Sequence, residues 1–477
     1  MQGELTRRRL IAHGAAGAAL GLLGSVPDTL AAAGADPAVR SFWLDAGDQS
    51  ATGPRALRAP ARFDLVGFGW EGPSPLRGDV RVRRDGAPWS AWRPLPTGDH
   101  DREAGDAALA PGGPRVTDPL WVGGADGLEL RLRRGVRRLR IHFVNSTGTA
   151  TPAARRRTAL ARALAGEARL AAVRPVAGAP PIVPRSVWAG RSADPSAPPV
   201  YGEVAFAAVH HTESLGGYGP GDSAAMILAI ARYHRDVKHW DDIGYNFVVD
   251  RFGRIFEGRA GGVLEAVAGA HAGGFNQSST GTAVLGSFTG VAPSPAAMQA
   301  LARLLAWKMS LHATPIEGRV VVLDRGTAPN KYRPGDNVRV PRIAGHRDLN
   351  ATDCPGGQLY RRLPELRRRV KRLASAQPHP SGPLPALAAA APAVHRGQPL
   401  GLGGAAGGVA GALSLQIERQ TRYGYARTTA ALALAPDRTF ATPITLPRTG
   451  AYRLSVRGTD PHGLPLLSPP VYVTVQA

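Results

Sequence analysis

The stretch Phe206-Ala207-Ala208-Val209-His210-His211-Thr212 sets the fold class of the central part of this chain. A short apolar run that ends in polar residues predicts a buried strand, with His210 at its end. Downstream, Ile227, Ile230 and His234 recur at the spacing of one helical face. A strand followed by a helix in this way is typical of an α/β domain.

The same mixture of strand and helix patterns continues over residues 182–373. Ser294 is a predicted N-cap with Pro295 in the first helical turn, which indicates a helix running to about His312. Further strands are predicted where short apolar runs meet turn residues: Asn246–Asp250, Arg254–Phe256 and Ala283–Leu285. The expected central α/β domain is therefore a mixed sheet with flanking helices.

The region before this block, residues 40–150, has a period-two pattern instead. Apolar and polar residues alternate in three runs: Val80–Arg83, Leu128–Leu132 and Leu139–Phe143. Alternation predicts half-buried antiparallel strands, and hence an all-β domain built as a sandwich or a small barrel. The region also contains four tryptophans: Trp70, Trp89, Trp92 and Trp121. They are expected either to pack in the core or to form a sugar-stacking face.

The chain ends in a second region of alternating runs, residues 393–477. Its clearest runs are Leu413–Ile417, Tyr452–Val456 and Val471–Val475. Short strands at this density predict an immunoglobulin-like β-sandwich, although no cysteine pair supports that assignment. Residues 151–181 and 374–392 are rich in Ala and Pro and are predicted linkers.

Length and composition agree with about three domains, since 477 residues at roughly 150 per domain give that number. Hydrophobic residues make up 43% and charged residues 20%, an ordinary globular balance that excludes wholesale disorder. Basic residues number 58 against 36 acidic ones, so the formal net charge is +22. Such a chain is attracted to polyanions, and anionic cell-wall polymers fit that charge. Nucleic acid is not expected as a partner, because the arginines are scattered without aromatic interleaving or a DNA-binding motif.

Residues 1–35 have the pattern of an export signal. Thr6-Arg7-Arg8-Arg9-Leu10-Ile11 precedes a mildly apolar run at 12–26, and small residues follow at 31–35. A charged start, an apolar middle and a small-residue end predict a removable signal peptide. The adjacent arginines resemble a twin-arginine signal, with a plain secretory signal as the alternative. The protein is therefore expected to be secreted or at the cell wall, with no later stretch long and apolar enough to span a bilayer.

Cys354 is the single cysteine, so it has no partner for an internal disulfide. It lies in Ala344-Gly345-His346-Arg347-Asp348-Leu349-Asn350-Ala351-Thr352-Asp353-Cys354-Pro355-Gly356. The imidazoles of His210 and His346 and this thiolate would give Zn²⁺ three ligands and leave a fourth tetrahedral position for water. A catalytic site has this open arrangement, whereas a structural zinc site is closed by four ligands. The spacing alone also fits three unrelated residues.

Several motifs of this block resemble one family. In chain order they are Val183-Pro184-Arg185-Ser186-Val187-Trp188, Val209-His210-His211-Thr212, Gly244-Tyr245-Asn246-Phe247, Phe256-Glu257-Gly258-Arg259, Gly269-Ala270-His271-Ala272, Gly345-His346-Arg347-Asp348 and Cys354-Pro355-Gly356. Their content and order resemble the peptidoglycan recognition protein / N-acetylmuramoyl-L-alanine amidase family, the type 2 amidases. The resemblance covers residues 182–373, about two-fifths of the chain.

The resemblance implies a zinc amidase that cuts the amide between the lactyl group of N-acetylmuramic acid and the L-alanine of the stem peptide. The zinc ligands of the family match His210, His346 and Cys354. Members that only bind peptidoglycan commonly lack the cysteine, so its presence favours catalysis. Tyr245 matches the catalytic tyrosine of the family and is expected to orient water and support the oxyanion, with core packing as the alternative.

Three further residues are predicted to serve this site. Thr352 stands two residues before Cys354 and can donate one hydrogen bond to a tetrahedral oxyanion, or else cap its own loop. His271 resembles a position that lines the substrate cleft, with local packing as the alternative. His211 points to the other side of the strand from His210, and we place it among the substrate-binding residues in a supporting position.

Two other functions stay open on the sequence. A recognition module could capture peptidoglycan without cutting it, and a different zinc hydrolase, such as a peptidase, could use the same ligands. The His-Glu-x-x-His motif of one peptidase class is absent, which counts against the second function. The stem-peptide type is also open. Some members carry a Gly-Trp pair linked with diaminopimelate preference, and Ala260-Gly261 stands there after Glu257-Gly258-Arg259.

Overall fold

The structure, a computed structural model, describes residues 40–49, 53–71, 76–84, 87–96, 115–148, 178–214, 217–326, 331–377, 382–421 and 424–477. The predicted signal peptide at 1–35 and all but the end of the predicted linker at 151–181 lie outside the described residues. Within the described part of the chain, none of the helices is both long and apolar enough to cross a membrane.

The N-terminal region forms an antiparallel sheet, as its alternating sequence predicts. Its strands are β1 (Arg40–Gln49), β2 (Arg55–Glu71), β3 (Gly78–Arg84), β4 (Arg93–Pro94), β5 (Arg115–Val116), β6 (Leu120–Leu132) and β7 (Val136–Asn145). Neighbouring strands follow the order β1-β7-β2-β6-β3-β4, and β5 pairs with β2. Buried side chains such as Phe63, Leu128 and Ile141 form its core.

Trp89 and Trp92 pack against arginine side chains of this sheet. The Arg81 guanidinium lies 5.4 Å from the ring centroid of Trp89 and 4.7 Å from that of Trp92. Arg83 adds a contact to Trp89 at 5.5 Å, and Arg131 adds one to Trp92 at 4.8 Å. Cation–π contacts of this kind stabilise a sheet surface. Trp70 and Trp121 are buried at 2% and 4% exposure and pack in the core. Trp89 and Trp92 are half-buried, and their sugar-stacking role stays a prediction.

The central region mixes strands and helices. Its strands are β8 (Ile182–Val183), β9 (Val200–Tyr201), β10 (Phe206–His211), β11 (Phe247–Val249), β12 (Ile255–Glu257), β13 (Ser279–Val284), β14 (Arg319–Leu323), β15 (Asn337–Pro341) and β16 (Ile343–Gly345). Its helices are α1 (Arg185–Trp188), α2 (Ser223–Asp236), α3 (Pro295–Leu311), α4 (His346–Leu349), α5 (Gly357–Tyr360) and α6 (Leu363–Ala374). Short 3₁₀ helices lie at Gly190–Ala193, Pro220–Asp222 and Asn276–Ser278.

A mixed sheet in the order β16-β10-β13-β11-β12-β8 carries this region. Strands β16, β10, β13 and β11 are parallel neighbours, and β12 runs antiparallel to β11. The predicted hairpin is confirmed as β11 and β12. The predicted helix is confirmed as α3, where Ser294 Oγ accepts from the Ala297 amide at 3.1 Å. Strand β13 begins at Ser279, four residues before the predicted start at Ala283. The apolar pattern missed its first half because that half consists of small and polar residues, which are nevertheless buried.

Side chains of β10 alternate between the two faces of the sheet. Val209 packs with α3 and α6 in one core cluster. Ala208 faces the opposite side, where it packs with the β14–β15 hairpin. Because alternate residues share a face, His210 lies on the hairpin side and His211 lies on the α3 side.

The N-terminal sheet packs directly on α2. Tyr233 Oη donates to the backbone oxygen of Thr117 at 3.0 Å, and Lys238 Nζ pairs with the Asp118 carboxylate at 2.7 Å. Leu65 of β2 belongs to the same core cluster as the buried face of α2. Burial of apolar surface from both sides stabilises the contact. The two regions therefore share a core instead of being joined by a linker alone.

Gly67 of β2 leaves room for the Tyr233 ring. A Cβ at position 67 would lie 2.0 Å from Tyr233 Oη. We expect Gly67→Ala to destabilise the protein by about 1–3 kcal/mol, as overpacking of a core does. Gly411→Ala is the control, because a Cβ there would lie at an ordinary 3.9 Å from Thr459 Oγ1. Thermal unfolding compares the two variants, and equal midpoints would contradict the tight contact.

The C-terminal region is β-rich. Its strands are β17 (Ala386–Ala389), β18 (Ala393–His395), β19 (Pro399–Ala405), β20 (Leu413–Thr421), β21 (Gly424–Leu432), β22 (Thr439–Thr445), β23 (Gly450–Thr459), β24 (Pro465–Leu467) and β25 (Val471–Gln476). One sheet has the order β17-β19-β22 and the other the order β18-β25-β23-β20-β21-β9, with β24 paired to β23. Both sheets contribute to one core. The immunoglobulin-like assignment stays a prediction.

Two features of this region differ from the sequence-based expectation. Strand β17 lies within residues 374–392, which we predicted as a linker, because its Ala-rich segment pairs with β19. Strand β9 comes from the central region and joins the C-terminal sheet, where Tyr201 pairs with Tyr425 of β21. Hydrogen bonds of one sheet therefore join the central and C-terminal regions.

Candidate metal centre

His210, His346 and Cys354 come together in the fold. One ligand atom of each residue lies within 4.8 Å of the others. The residues are buried, at 1%, 0% and 2% exposure. His210 Nδ1 lies 3.8 Å from Cys354 Sγ, and the two imidazole centroids are 4.5 Å apart. The structure thus places the three predicted ligands in a group that could bind a metal.

The donor set fits zinc. Zinc bonds of about 2.3 Å to sulfur and about 2.0–2.1 Å to nitrogen, at tetrahedral angles, place the two donor atoms about 3.5 Å apart. The observed 3.8 Å between His210 Nδ1 and Cys354 Sγ is close to that value. Two imidazoles and a thiolate are also ligand types that zinc prefers. Three donors leave one tetrahedral position for water or substrate.

Parallel pairing of β10 and β16 sets the two histidines side by side. Val209 pairs with Gly345, and His210 and His346 each follow one residue later. Functional side chains converge at the carboxyl edge of parallel strands. His346 also begins α4, so both a strand and a helix fix its position.

The loop after α4 returns Cys354 to this edge. The Arg347 amide donates to the Cys354 oxygen at 2.9 Å, which closes the loop onto the start of α4. The His211 amide donates to Cys354 Sγ at 3.4 Å. A hydrogen bond to sulfur favours the thiolate, the form of cysteine that binds metal.

His271 contacts the first ligand. Its Nδ1 lies 3.2 Å from His210 Nε2, and the residue is 2% exposed. With a proton on His210 Nε2 donated to His271, the tautomer of His210 presents its Nδ1 lone pair to a metal. Asn276 Oδ1 accepts from the His271 amide at 2.8 Å and holds it there. The structure therefore places His271 in contact with the His210 imidazole and buried, while its predicted part in lining the substrate cleft stays a prediction.

Tyr245 lies beside the same imidazole. Its ring centroid is 5.5 Å from that of His210, and its side chain is half-buried. His234 of α2 supports this segment, since its Nδ1 accepts from the Gly244 amide at 3.1 Å and its ring lies 5.8 Å from Tyr245. Burial holds the pKa of His234 well below its ordinary value, so the ring is a neutral acceptor near pH 7.

His211 lies on the other face of β10, as its place in the strand predicts. Its Nε2 is 2.7 Å from Glu213 Oε1, and its Nδ1 accepts from the Phe288 amide at 3.4 Å. Its side chain is 1% exposed. The predicted part of His211 in substrate binding is not supported by this placement. Its contribution to the site is the amide that contacts Cys354.

Thr352 caps the loop that carries Cys354. Its Oγ1 accepts from the Cys354 amide at 3.1 Å, and its side chain is half-buried. A hydroxyl that accepts one hydrogen bond is chemically able to donate another. Loop capping and oxyanion support are therefore compatible at this residue.

Two residues of this arrangement have no clear signal in the sequence. Asn276 accepts from the amides of His271 and Ala272 through one side-chain oxygen. Glu213 pairs with His211. Glu213 lies in the loop after β10, Asn276 begins a short 3₁₀ helix, and both are of residue types that are mostly exposed. Only the path of the chain between the elements brings them to the site.

Two families match parts of this chain. The family described as N-acetylmuramoyl-L-alanine amidase matches residues 201–357, and the family described as Rv3811 N-terminal galactose-binding domain-like matches residues 25–161. Peptidoglycan-recognition protein SC2 of Drosophila simulans is 30% identical over 184 residues, which cover 38% of this chain and 84% of that protein. The chain belongs to the N-acetylmuramoyl-L-alanine amidase / peptidoglycan recognition protein family.

Other members of the family match the same region. N-acetylmuramoyl-L-alanine amidase of Mus musculus is 30% identical over 193 residues, covering 39% of this chain and 31% of that protein. This chain thus spans about a third of the length of the mouse amidase. The solved structure of Drosophila PGRP-LB is 24% identical, with a TM-score of 0.30, and the match covers 38% of this chain and 90% of that chain. In the chain described here, the matched residues 201–357 include all three of His210, His346 and Cys354.

Proposed function

We propose that the protein is a zinc-dependent N-acetylmuramoyl-L-alanine amidase that hydrolyses the lactyl–L-alanine amide of peptidoglycan. The observation that carries this proposal is the convergence of His210, His346 and Cys354 in one buried group within the matched amidase region. Cys354 is the discriminating ligand, because family members that only bind peptidoglycan commonly lack it.

Zinc bound here would supply a Lewis acid and a water whose pKa is lowered to about 7. The chain holds the ligands in the form that such chemistry needs. With His271 Nδ1, at 3.2 Å, as the acceptor of the His210 Nε2 proton, His210 would present its Nδ1 lone pair to zinc. The His211 amide stabilises the Cys354 thiolate. The His271 contact to His210 and the His211 amide contact to Cys354 both form without protonation or deprotonation of the supporting residue.

Tyr245 and Thr352 are the groups that we assign to the oxyanion. Negative charge develops on the former carbonyl oxygen as the tetrahedral intermediate forms, and preorganised donors stabilise it. Both residues are half-buried and carry a hydroxyl, which donates without ionising. The Tyr245 ring lies 5.5 Å from that of His210, and Thr352 Oγ1 lies 3.1 Å from the Cys354 amide, so both residues neighbour a ligand of the metal group.

We expect Thr352→Val to lower kcat by about tenfold, since one neutral hydrogen bond contributes about 0.5–1.5 kcal/mol. Thr352→Ser keeps the hydroxyl and should retain kcat within about twofold. Steady-state kinetics at saturating zinc measures both variants. An unchanged kcat in Thr352→Val would leave this residue only its loop-capping role.

Chelation tests the proposed reaction against its alternatives. Purified peptidoglycan incubated with the protein should gain amino-terminal alanine, lose that activity after dialysis against a chelator, and regain it with zinc. Binding to the wall without new amino termini would favour a recognition module. Mass spectrometry of the products identifies the bond, and cleavage inside the stem peptide would favour a peptidase.

We further propose that the protein acts at the cell wall, exported by the signal at residues 1–35 and held in part by its net charge of +22. Raising salt from about 0.1 M to about 1 M shortens the Debye length from about 10 Å to about 3 Å and should release it from anionic polymers. Full retention at high salt would contradict electrostatic tethering. Accumulation of the uncleaved chain in the cytoplasm would contradict export.

A further inference from the structure

A loop of the central region, residues 259–267, joins two parts of the metal site. At its start, the Arg259 amide donates to the backbone oxygen of Tyr245 at 2.8 Å. At its end, Val267 stands four residues before His271. A peptidoglycan substrate is larger than its scissile amide. When its scissile carbonyl lies at the metal group, the rest of the substrate must therefore extend past the residues that surround this group. The loop runs from the Tyr245 segment to the His271 segment beside the metal group and is half-buried along most of its length.

The backbone of this loop needs support from its surroundings. Gly261 and Gly262 have φ angles of +127° and +101°, a region that other residues rarely adopt. Consecutive glycines also increase the conformational entropy that is lost when the loop is ordered. Contacts from neighbouring elements therefore determine whether the loop keeps one conformation.

Lys308 of α3 holds the loop backbone from one side. Its Nζ donates to the backbone oxygens of Val263 at 2.8 Å and Glu265 at 2.7 Å. The residue is 2% exposed. Burial lowers the pKa of Lys308 to about 7, and its two hydrogen bonds to backbone oxygens form in either protonation state, since a neutral amine also donates. They fix the main chain of the loop and leave the Glu265 carboxylate to be held by other groups.

Two arginines of the C-terminal sheet bind that carboxylate. Arg427 of β21 pairs with one oxygen of Glu265, and Arg457 of β23 pairs with the other. Arg427 also lies over the Tyr201 ring, 3.7 Å from its centroid, and pairs with Glu418 at 2.8 Å. The side chains of Glu265, Arg427 and Arg457 are 17%, 12% and 19% exposed. Salt screens such a partly buried cluster less than a surface pair.

We propose that the C-terminal domain is a positioning element of the amidase. Through Arg427 and Arg457 it holds Glu265, and with it the 259–267 loop, in the conformation that binds muropeptide. Glu265 is thus a positioning residue, since it acts through the loop and not on the reacting atoms. This role rests on the proposed function for the identity of the ligand.

Glu265→Gln tests this role, because it removes the charge and keeps the shape of the side chain. Asp118→Asn is the matched control, since the Lys238–Asp118 pair joins the N-terminal sheet to the amidase region at a similar 7% and 11% exposure. We expect Glu265→Gln to raise KM for a soluble disaccharide–tetrapeptide about tenfold, with kcat and zinc content within about twofold of the wild type. Asp118→Asn should leave KM unchanged.

Two measurements do not depend on cleavage. Backbone amides of residues 260–266 should exchange hydrogen about tenfold faster in Glu265→Gln and at the wild-type rate in Asp118→Asn. Calorimetry of disaccharide–tetrapeptide binding in the Cys354→Ser background should show a Kd about tenfold higher with Glu265→Gln. Weaker binding by Glu265→Gln would support the positioning role even if the wild type cuts nothing. Values of KM, Kd and loop exchange within about twofold of the wild type, or equal shifts in Asp118→Asn, would overturn it.

Discussion

We expect Cys354→Ser to reduce kcat/KM for peptidoglycan cleavage by about 10³-fold or more, which corresponds to about 4 kcal/mol in the activation barrier. Serine is close to cysteine in size but is not ionised at neutral pH. The metal-binding group of His210, His346 and residue 354 therefore keeps its shape and loses its anionic ligand. Cys354 is the single cysteine of the chain, so no second thiol can take its place. Zinc per chain, measured by atomic emission, should fall together with activity.

A pair of histidine variants separates this effect from a general loss of stability. His346→Gln removes a second ligand at a residue that is 0% exposed, whereas His395→Gln changes an exposed residue of β18. We expect His346→Gln to lose zinc and activity and His395→Gln to keep both. Undiminished cleavage by zinc-free Cys354→Ser would exclude the zinc mechanism.

Tyr245→Phe should lower kcat by about 10²–10³-fold, the effect of losing one oxyanion donor. Phenylalanine keeps the ring that lies 5.5 Å from His210 and removes only the hydroxyl. Because such a donor acts on the transition state more than on the bound substrate, KM and zinc content should stay within about twofold. Initial rates on a soluble muropeptide, with zinc measured in the same sample, separate the two quantities.

Tyr472→Phe is the control for Tyr245→Phe. Tyr472 lies on β25 and is 62% exposed, so its hydroxyl has no part in the metal centre. We expect its kcat to equal that of the wild type. A wild-type kcat in Tyr245→Phe would make Tyr245 a packing residue beside His210 and leave the oxyanion to other donors.

Elements with strong local signals were predictable from the sequence. The helix α3 begins where Ser294 and Pro295 place its first turn, because capping is a property of adjacent residues. The hairpin of β11 and β12 follows from two apolar runs around a short turn. Strand β13 was harder to predict, because it begins with the polar residues Ser279 and Thr280. These residues are buried only because the strand is central in the sheet and covered on both faces.

The candidate site was predictable in its ligands and less so in its surroundings. Motif content identified His210, His346 and Cys354, and the structure brings them together. The motifs did not predict that His271 contacts His210 or that His211 is enclosed. Both contacts depend on which side chains face each histidine across the sheet.

The relation between the regions was the least predictable feature. Composition indicated linkers on both sides of the central block, and linkers alone would leave the flanking regions independent. Tyr233 instead packs on the N-terminal sheet, and β9 pairs with the C-terminal sheet. Interfaces of this kind join residues far apart in the chain, and their contacts leave no periodic pattern.

By itself, the sequence determined the kinds of strand and helix and the donor types for a metal, because periodicity, capping and ligand chemistry belong to neighbouring residues or to single side chains. Tertiary structure alone decided that His210 meets Cys354, 144 residues away, and that C-terminal arginines reach Glu265. Such convergence depends on strand order and on the packing of separate sheets. These are properties of the whole chain that no local stretch records.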